Sequence, residues 1–460
     1  DRRCACKGKQ TGDRKERQNM DYNILDYGAV GDGVKKCTEA IQAAVDACSK
    51  TGGRVVVPAG KYLSGGIRLR SDVELHLENG AELISTLEKE DMIDFASEFE
   101  GEGMDGMDGG CFLFARHEKN IIISGYGKID GRGREVFYDG DVDNGFHECP
   151  LFVKGFRPRT TYLEDVENLT VRDITFYDAA FWTLHMAGCR NVMVDGIRIL
   201  NDDRGPNNDG IDPDCCKNVV IRGCIIEAGD DAIVVKATGP MHEKYGDCEN
   251  IVIQGCTMHS RDSALKIGTE TWGNIRNIIL SDCVVWDCSR GVSIWSRDGG
   301  TISDITIHHV TGNTRRYADG VIPGQGAPRW WGKGEPVFLS STKRRGSDRI
   351  PGKISGVVMD HIHLRSESCI FLGGEDYAPI EDIHLENMDI LWIQQSPHLP
   401  GVFDEQPSER DVYAHEIPCV YARSVNGLTV SGRLRVDDSL SDVIQKKQIL
   451  ENCEDAEIEE

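Results

Sequence analysis

The sequence lacks any run of roughly 18 or more apolar residues, so no segment is predicted to span a membrane. It is also short of positive charge, because 52 basic residues stand against 76 acidic ones and the formal net charge is −24. Nucleic acids and anionic membrane surfaces select for basic patches, so neither is an expected partner. A few local cations would still allow such a protein to bind an anionic polysaccharide.

The 17 cysteines contain no Cys-x-x-Cys pair, the spacing that structural zinc sites commonly use. Two closer pairs, Cys4 with Cys6 and Cys215 with Cys216, are too cramped for such a site. The histidines show no metal-ligand spacing that ties them to the acidic motifs described below. We therefore predict buried, reduced thiols that act as small hydrophobic residues, and neither a metal nor a cofactor.

An asparagine opens each of several short apolar runs, and these asparagines recur along the chain. From Asn168 to Asn277 the steps are 23 to 32 residues, and periods of about 20–50 residues are typical of solenoids. The asparagines are predicted to form a ladder that bonds turn backbone from coil to coil. The residue six places after each asparagine is apolar, which predicts a second, inward ladder. Its members are Ile174, Ile197, Cys224, Cys256 and Cys283.

We therefore predict an all-β chain in which residues 21–436 form a single parallel β-helix. Residues 1–20 are polar and unpatterned, which predicts a mobile tail, and the absence of an initiator methionine or signal sequence predicts a processed form. From Thr38 an apolar stripe predicts a short N-terminal helix that caps the first coil. Residues 437–460 are polar and end in an acidic run, which predicts a tail or a solvated helix.

Three carboxylates stand at the start of two apolar runs. Asp209 precedes the first run, and Asp230 and Asp231 precede the second, so Asp231 follows Asp209 by 22 positions. In a coiled chain Asp209 would lie beneath Asp231 at a strand spacing of about 4.8 Å. Like charges at that distance repel, so a structural coil avoids them, whereas a glycosidase needs neighbouring acids. The alternative interpretation is that they are turn acids at coil corners.

Five strands align at a position 14 residues after the asparagine, occupied by Trp182, Ala232, Ala264 and Gly291. Gly210 is the equivalent residue in the coil of Asn191, which an insertion at residues 202–206 lengthens. Alternation along these aligned strands separates inward from outward side chains. Ile211, Ile233, Leu265 and Val292 are predicted to point inward. The outer flank then carries the three aspartates together with other side chains that could bind a substrate. These candidates are Lys236, Ser263, Lys266 and Trp295.

The candidate substrate-binding residues have competing interpretations. Lys236 and Lys266 would bind uronate or sugar hydroxyl groups, or else be solvated lysines. Trp295 is predicted to stack against a sugar ring. Glu270 and Arg297 are further candidate substrate-binding residues. Glu270 is either an additional acid or a salt-bridge partner of Arg297, and the sequence does not choose between these roles.

Two segments interrupt the repeat, residues 91–110 and residues 315–347. Long loops inside a regular repeat are typical of cleft walls or of disorder. Trp330 and Trp331 favour a cleft wall for the second segment. Walls that close one end of a cleft would favour exo action.

Residues 21–436 resemble glycoside hydrolase family 28, the polygalacturonase family of right-handed parallel β-helices. Asn207-Asn208-Asp209 matches the Asn-Thr-Asp motif of that family, and Gly229-Asp230-Asp231 matches its Gly-Asp-Asp motif. The resemblance implies a metal-independent, inverting hydrolase of an α-glycosidic bond in a pectic polysaccharide or oligosaccharide. It also implies Asn207 as a substrate contact and a secreted or periplasmic location.

The resemblance further implies Asp230 as the general acid and Asp209 with Asp231 as the residues that hold the attacking water. Three acids in one patch cannot all ionise cheaply, so at least one pKa is expected to be raised.

Two motifs of the family are absent. Its Gly-His-Gly motif falls on Asp262-Ser263-Ala264, and its Arg-Ile-Lys motif falls on Ser293-Ile294-Trp295. We therefore expect a divergent enzyme, similar to rhamnogalacturonan-acting members, rather than standard homogalacturonan hydrolysis, with Lys266 as a replacement cation. The alternatives are a β-helical polysaccharide lyase and a non-catalytic carbohydrate-binding solenoid. The oligomeric state stays open.

Overall fold

The computed structural model describes residues 20–96, 109–140, 150–319 and 332–459. A typical coil contributes three strands, for example Lys217–Arg222, Ile225–Ala228 and Ile233–Ala237. The first two join a 22-stranded back sheet and the third joins a 13-stranded front sheet. Each pairs in parallel with the corresponding strand of the coils before and after it. The prediction of a parallel β-helix is confirmed.

The front sheet follows the coils in order along the solenoid axis. Only its second strand, near the N-terminal end, pairs antiparallel. The strands are Ile67–Arg68, Ile93–Asp94, Gly110–Arg116, Arg159–Glu164, Leu184–Ala187, Ile211–Asp214, Ile233–Ala237, Ser263–Thr271, Arg290–Ser296, Glu335–Ser341, Ile370–Gly373, Val420–Arg423 and Gln448–Glu451.

The back sheet bends around the rest of the core. From Ile275 onward the two short back strands of each coil merge into one long strand, until the last coil. The strands are Asp21–Asn23, Asp32–Lys36, Gly53–Val57, Gly60–Ser64, Val73–Leu77, Ala81–Ser85, Lys119–Ser124, Lys128–Asp130, Glu167–Arg172, Thr175–Tyr177, Arg190–Asp195, Arg198–Leu200, Lys217–Arg222, Ile225–Ala228, Cys248–Gln254, Thr257–Ser260, Ile275–Cys288, Ile302–Thr314, Ile354–Ser366, Ile380–Trp392, Val425–Val436 and Glu454–Ile458.

Small elements decorate the two sheets. Phe137–Tyr138 pairs with Phe152–Val153, and Val402–Asp404 pairs with Val412–Ala414, as antiparallel ribbons. The α-helices are Thr38–Cys48 and Gly239–Tyr245, and the 3-10 turns are Ile24–Tyr27, Lys89–Asp91, Gly133–Glu135 and Asp438–Leu440.

The core is an apolar column between the two sheets. Ile211, Ile233, Leu265 and Val292 pair in register and are buried, as predicted. The inward ladder through Ile174, Ile197, Cys224, Cys256 and Cys283 is also buried. Among the described residues 14 cysteines are free and all but Cys453 are buried, which confirms the prediction of buried thiols.

The asparagine ladder is present, but it bonds through side chains alone. The Nδ2 group of Asn191 donates to Oδ1 of Asn168 at 3.2 Å, and Asn218 donates to Asn191 at 3.1 Å. Each of these asparagines has a φ between 56° and 59°, in the left-handed region that asparagine tolerates better than most residues. The predicted bonds to turn backbone are therefore replaced by amide–amide bonds between coils.

The N-terminal helix, Thr38–Cys48, covers the first coil as predicted. Its inner face is the apolar set Ile41, Ala44, Val45 and Cys48, which packs into the main core. None of the helices in the described ranges has the length and apolarity needed to cross a bilayer.

The C-terminal prediction was wrong. Gln448–Glu451 and Glu454–Ile458 continue the front and back sheets, so the solenoid extends through residues predicted as a tail or helix. Their charged side chains alternate with the partly buried Ile449, Ala456 and Ile458, which pack against the main core. The predicted N-terminal tail, apart from Met20, lies outside the described residues.

The two interrupting segments are described only in part. Residues 97–108 and residues 320–331, which include Trp330 and Trp331, lie outside the described ranges. The described end of the second segment places Arg344 against Glu270, at 3.7 Å, on the outer side of the front sheet. This part of the segment therefore forms a wall beside the candidate site.

Candidate active site

Asp209, Asp230 and Asp231 lie at the entry of adjacent front-sheet strands. The amide of Gly210 donates to the carbonyl of Asp231 at 2.9 Å, and Ile211 is in register with Ile233, so Asp209 lies directly beneath Asp231. One carboxylate oxygen from each aspartate lies within 4.8 Å of the other two. The predicted stacking of the acids on one outer flank is therefore present.

A network of amides shapes the turn that carries these acids. The Oδ1 atom of Asn208 accepts from the amides of Gly229 and Asp230 at 2.8 and 3.2 Å, and its Nδ2 group donates to the carbonyl of Asp202. A Cβ on Gly229 would lie 2.4 Å from the Gly205 carbonyl, so only glycine allows this close approach. The insertion at residues 202–206 thus packs beneath the acids and fixes their backbone.

Asn207 contacts an acid rather than standing apart as a substrate ligand. Its amide and its Nδ2 group donate to Oδ2 of Asp230 at 3.3 and 3.4 Å, and its Oδ1 accepts from Arg157 at 2.9 Å. The side chain is partly exposed. Asn207 therefore orients the Asp230 carboxyl, and direct contact with a substrate stays a prediction.

Both predicted lysines lie beside the acids, where Lys236 is buried and Lys266 is partly buried. The Lys236 ammonium lies 3.3 Å from Asp209 and 3.6 Å from Glu270, and the Lys266 ammonium lies 2.9 Å from Asp231 and 3.2 Å from Asp262. The interpretation as solvated lysines is wrong, because neighbouring carboxylates compensate each charge.

Asp230 is distinguished from its two neighbours by its environment. It is 8% exposed, against 2% for Asp209 and 1% for Asp231, and in the described residues no ammonium pairs with it. Burial, followed by the negative charges of Asp209 and Asp262, raises the pKa of Asp230 to about 7. The accessible acid of the cluster therefore retains a proton near neutral pH.

Burial also raises the pKa of Asp231, although the Lys266 ammonium opposes the shift. Glu270 behaves in the opposite way: burial alone would raise its pKa, but Lys236 and Arg344 lower it to about 2. Glu270 is therefore an ionised partner of Lys236 and Arg344 rather than an additional acid.

The sequence interpretation missed two carboxyl groups. Asp212, on the strand after Asp209, is fully buried 3.5 Å from the Lys236 ammonium, and burial together with the charge of Asp209 raises its pKa. Asp262 accepts from Arg290 at 2.7 Å and from Lys266. Strand alternation places Asp212 on the same face as Lys266, which was the available signal.

Three predicted substrate contacts are wrong because the outer face is covered at this point. Ser263 is fully buried and its hydroxyl accepts from Ser293 at 2.8 Å. Trp295 is 1% exposed and packs between Arg290 and Arg297, each 4.8 Å from its ring.

Arg297, the third of these residues, donates to Ser340 and to the backbone carbonyl of Glu405, not to Glu270. The neighbouring Arg290 donates to the carbonyl of Asp404. The segment around Asp404 and Glu405 thus covers this part of the sheet.

The aromatic residue beside the acids is Trp182 rather than Trp295. The Lys236 ammonium lies 4.1 Å from the centre of its ring, and Trp182 stacks on Phe181 with ring centroids 5.5 Å apart. The aligned strand set contained Trp182, but one residue out of register, because Thr183 is opposite Gly210. Correct pairing places Trp182 one coil below Asp209 and two coils below the strand that carries Lys236.

Carboxylate oxygens are the ligands that Ca²⁺ and Mg²⁺ prefer, and the three aspartates are close enough to share an ion. Asp209 and Asp231 already face ammonium groups at 3.3 and 2.9 Å, which would repel a cation. The arrangement therefore fits proton transfer better than metal binding.

Comparison with known proteins identifies related sequences. The sequence model described as glycosyl hydrolases family 28 matches residues 48–322, a range that contains the three aspartates. A probable polygalacturonase of Vitis vinifera is 32% identical over 64% of this chain and 61% of its own length. An exo-poly-alpha-D-galacturonosidase of Dickeya chrysanthemi is 26% identical over 57% of this chain and 50% of its own length. The chain thus spans less than two thirds of these relatives.

Solved structures share the fold. A family 28 exopolygalacturonase of Yersinia enterocolitica superposes with a TM-score of 0.72 at 18% identity, over 95% of this chain and 78% of its own. A polygalacturonase of Erwinia carotovora ssp. carotovora superposes with a TM-score of 0.59 at 19% identity, over 87% of this chain and 100% of its own. The predicted right-handed parallel β-helix is confirmed.

Proposed function

The chain belongs to glycosyl hydrolases family 28, and on that premise we propose that it is an inverting hydrolase of an α-glycosidic bond in a pectic polysaccharide or oligosaccharide. The observation that carries this proposal is the stacked trio of Asp209, Asp230 and Asp231. One carboxylate oxygen of each residue lies within 4.8 Å of the other two. Asp209 and Asp231 each have an ammonium partner, and Asp230 has none among the described residues. The trio therefore places a carboxyl group that lacks an ammonium partner, among the described residues, beside two that have one.

Asp230 is the general acid of the proposal. Its carboxyl protonates the glycosidic oxygen as the bond from that oxygen to the anomeric carbon breaks, so the leaving sugar departs as an alcohol. A raised pKa favours this role because the group must be protonated in the resting enzyme. Asn207 holds the carboxyl in place through Oδ2.

Asp209 and Asp231 hold the attacking water. Water adds its oxygen to the anomeric carbon, and Asp209, whose counter-charge is the Lys236 ammonium, takes the released proton. Separations of about 5–5.5 Å are typical of retaining pairs and about 6.5–9.5 Å of inverting ones, so spacing alone would favour retention. We propose inversion because ion pairing and burial weaken both carboxylates as nucleophiles while leaving them able to accept from water.

The substrate of the proposal is an acidic pectic chain. The relatives named above are polygalacturonases and a galacturonosidase. The positions of two family motifs are buried here at Ser263 and Trp295, so we propose a divergent site that favours a rhamnogalacturonan backbone or side chain over standard homogalacturonan. A secreted or periplasmic location is proposed with it.

A lyase requires a neutral lysine or an arginine as base, and the two site lysines do not fit that role. Burial alone would lower the pKa of each, but Asp209 and Glu270 raise the pKa of Lys236, and Asp231 and Asp262 raise that of Lys266. Both lysines are therefore charged at neutral pH and available as cations only.

The test is a screen of homogalacturonan, rhamnogalacturonan and branched pectic fragments in which proton NMR follows the first product formed. We expect saturated products whose new reducing end has the anomeric configuration opposite to that of the substrate bond. Initial release of the same anomer would contradict inversion. Products that absorb as unsaturated uronates would contradict hydrolysis itself.

The pH dependence of kcat/KM should follow the proton on Asp230. Because the acid must be protonated, we expect activity to fall about tenfold per pH unit above about 7. Asp262→Asn removes a negative charge that raises this pKa, so the alkaline limb should move to lower pH. Asp195→Asn, a change in the back sheet, is the matched control and should leave the limb in place. A wild-type profile that stays flat to about pH 9 would contradict the assignment.

A further inference from the structure

A cavity of about 810 Å³ opens where the front-sheet strands Ser263–Thr271 and Arg290–Ser296 end. Glu270 forms its near wall. The Lys236 ammonium lies 3.6 Å from Glu270 and 3.3 Å from Asp209, so one charged group joins the cavity to the candidate catalytic acids.

Two arginines of this cavity have compensated charges. Arg344 donates to both oxygens of Asp298, at 2.9 and 2.8 Å, and to the carbonyl of Thr269 at 3.0 Å. Arg345 pairs with Asp411 at 2.5 Å. These contacts fix the loop that starts at residue 343 against the front sheet.

Arg349, on the same loop, is held without a counter-charge. Its guanidinium stacks on Trp272, 3.7 Å from the ring centroid, and the indole also packs against Gly239, where a Cβ would lie 3.0 Å from the ring. Arg349 is exposed, and no carboxylate in the described ranges pairs with it. A stacked guanidinium loses less freedom on binding and keeps its N–H groups available at its edge.

We propose that this cavity is a carboxylate-binding subsite, in which Arg349 binds an acidic sugar of the substrate at least one unit from the bond that is cleaved. The inference rests on the proposed function and extends the cleft of the same site. Planar guanidinium groups bind carboxylates through two parallel hydrogen bonds, which suits a uronate better than a neutral sugar. Ser293 and Trp295, at the positions where the family motif carries cations, cannot serve because they are uncharged and buried.

The neighbouring Asp348 offers a matched control of opposite charge. Its carboxylate is exposed in the same loop and lines the same cavity. If the cavity binds an anion, removing the charge of Asp348 should strengthen binding, whereas removing the charge of Arg349 should weaken it. A loop that is merely distorted by substitution would not respond with opposite signs.

The experiment is calorimetric titration of the hydrolytically silenced Asp230→Asn protein with two probes, a galacturonic acid oligomer and a rhamnogalacturonan oligosaccharide. Each probe is used as the free acid and as its methyl ester. We expect tighter binding of the acid, an affinity about tenfold lower when Arg349→Gln is added, and an unchanged affinity for the ester. Asp348→Asn should raise the affinity for the acid alone.

Equal affinity for acid and ester, an acid affinity unchanged by Arg349→Gln, or no binding of either probe would overturn the subsite. Binding with the expected charge dependence but no hydrolysis by wild type would overturn the proposed function and leave the subsite standing. Hydrolysis of the acid and of the ester with equal KM would overturn the subsite and leave the proposed function standing.

Discussion

Replacing Asp230 with asparagine is expected to lower kcat by about 100- to 10,000-fold, the range typical of losing a general acid. Asparagine fills the same volume and can still accept from Asn207, but it has no proton to give the leaving oxygen. KM should change little, because the substitution removes an interaction made in the transition state. Asp195→Asn should retain wild-type activity. The measurement is steady-state hydrolysis of the substrate that the screen identifies.

Changing the leaving group of the substrate distinguishes the role of the general acid from that of the water-holding residues. An aryl glycoside departs without protonation, so the loss in Asp230→Asn should be much smaller on an aryl substrate than on the natural bond. Asp209→Asn should show the same loss on both, because water attack is needed in either case. Equal losses for Asp230→Asn on both substrates would contradict its role as acid.

Replacing Arg290 with methionine is expected to cost about 3–5 kcal/mol of folding free energy, the range found when one partner of a buried ion pair is removed. Arg290 is 2% exposed, donates to Asp262 at 2.7 Å and lies 3.7 Å from Glu335. Methionine keeps much of the contact with Trp295, but it removes the cation beside the buried Glu335 and leaves Asp262 with Lys266 alone. The shift of the urea midpoint, followed by circular dichroism, measures the loss.

Arg190→Met is the matched control for this prediction. Arg190 also opens a strand and pairs with Asp165 at 2.9 Å, but its side chain is 45% exposed. Exposed pairs contribute about 1 kcal/mol or less, so the control should unfold near the wild-type midpoint. Similar urea midpoints for the two variants would contradict the prediction, because the protein would then be equally stable without the Arg290 charge.

Local rules were sufficient to predict the coil and the position of its acids. Strand alternation and a recurring asparagine place Ile211 under Ile233, and this register alone places Asp209 under Asp231. Both inferences depend on contacts between neighbouring coils, which a repeat in the sequence records directly. The register failed by one residue at Trp182, where the turn before the strand has a different length.

The errors have a different origin. Trp295 and Arg297 do point outward, but a segment more than 100 residues later in the chain covers them, since Arg297 donates to the carbonyl of Glu405. A repeat pattern in the sequence cannot show that a segment so distant in the chain covers these side chains. For the same reason the pairing of Glu270 with Arg344, which comes from a loop between repeats, could not be read from spacing.

The thirteen buried thiols described above form part of the column that joins one coil to the next. A thiol reacts only when solvent reaches it, and burial also raises the pKa of the Cys48 thiol to about 11, which disfavours its reactive thiolate form. Alkylation followed by peptide mapping would therefore show where along its axis the solenoid opens first. Each modified cysteine would identify a segment of the chain that had become accessible to solvent.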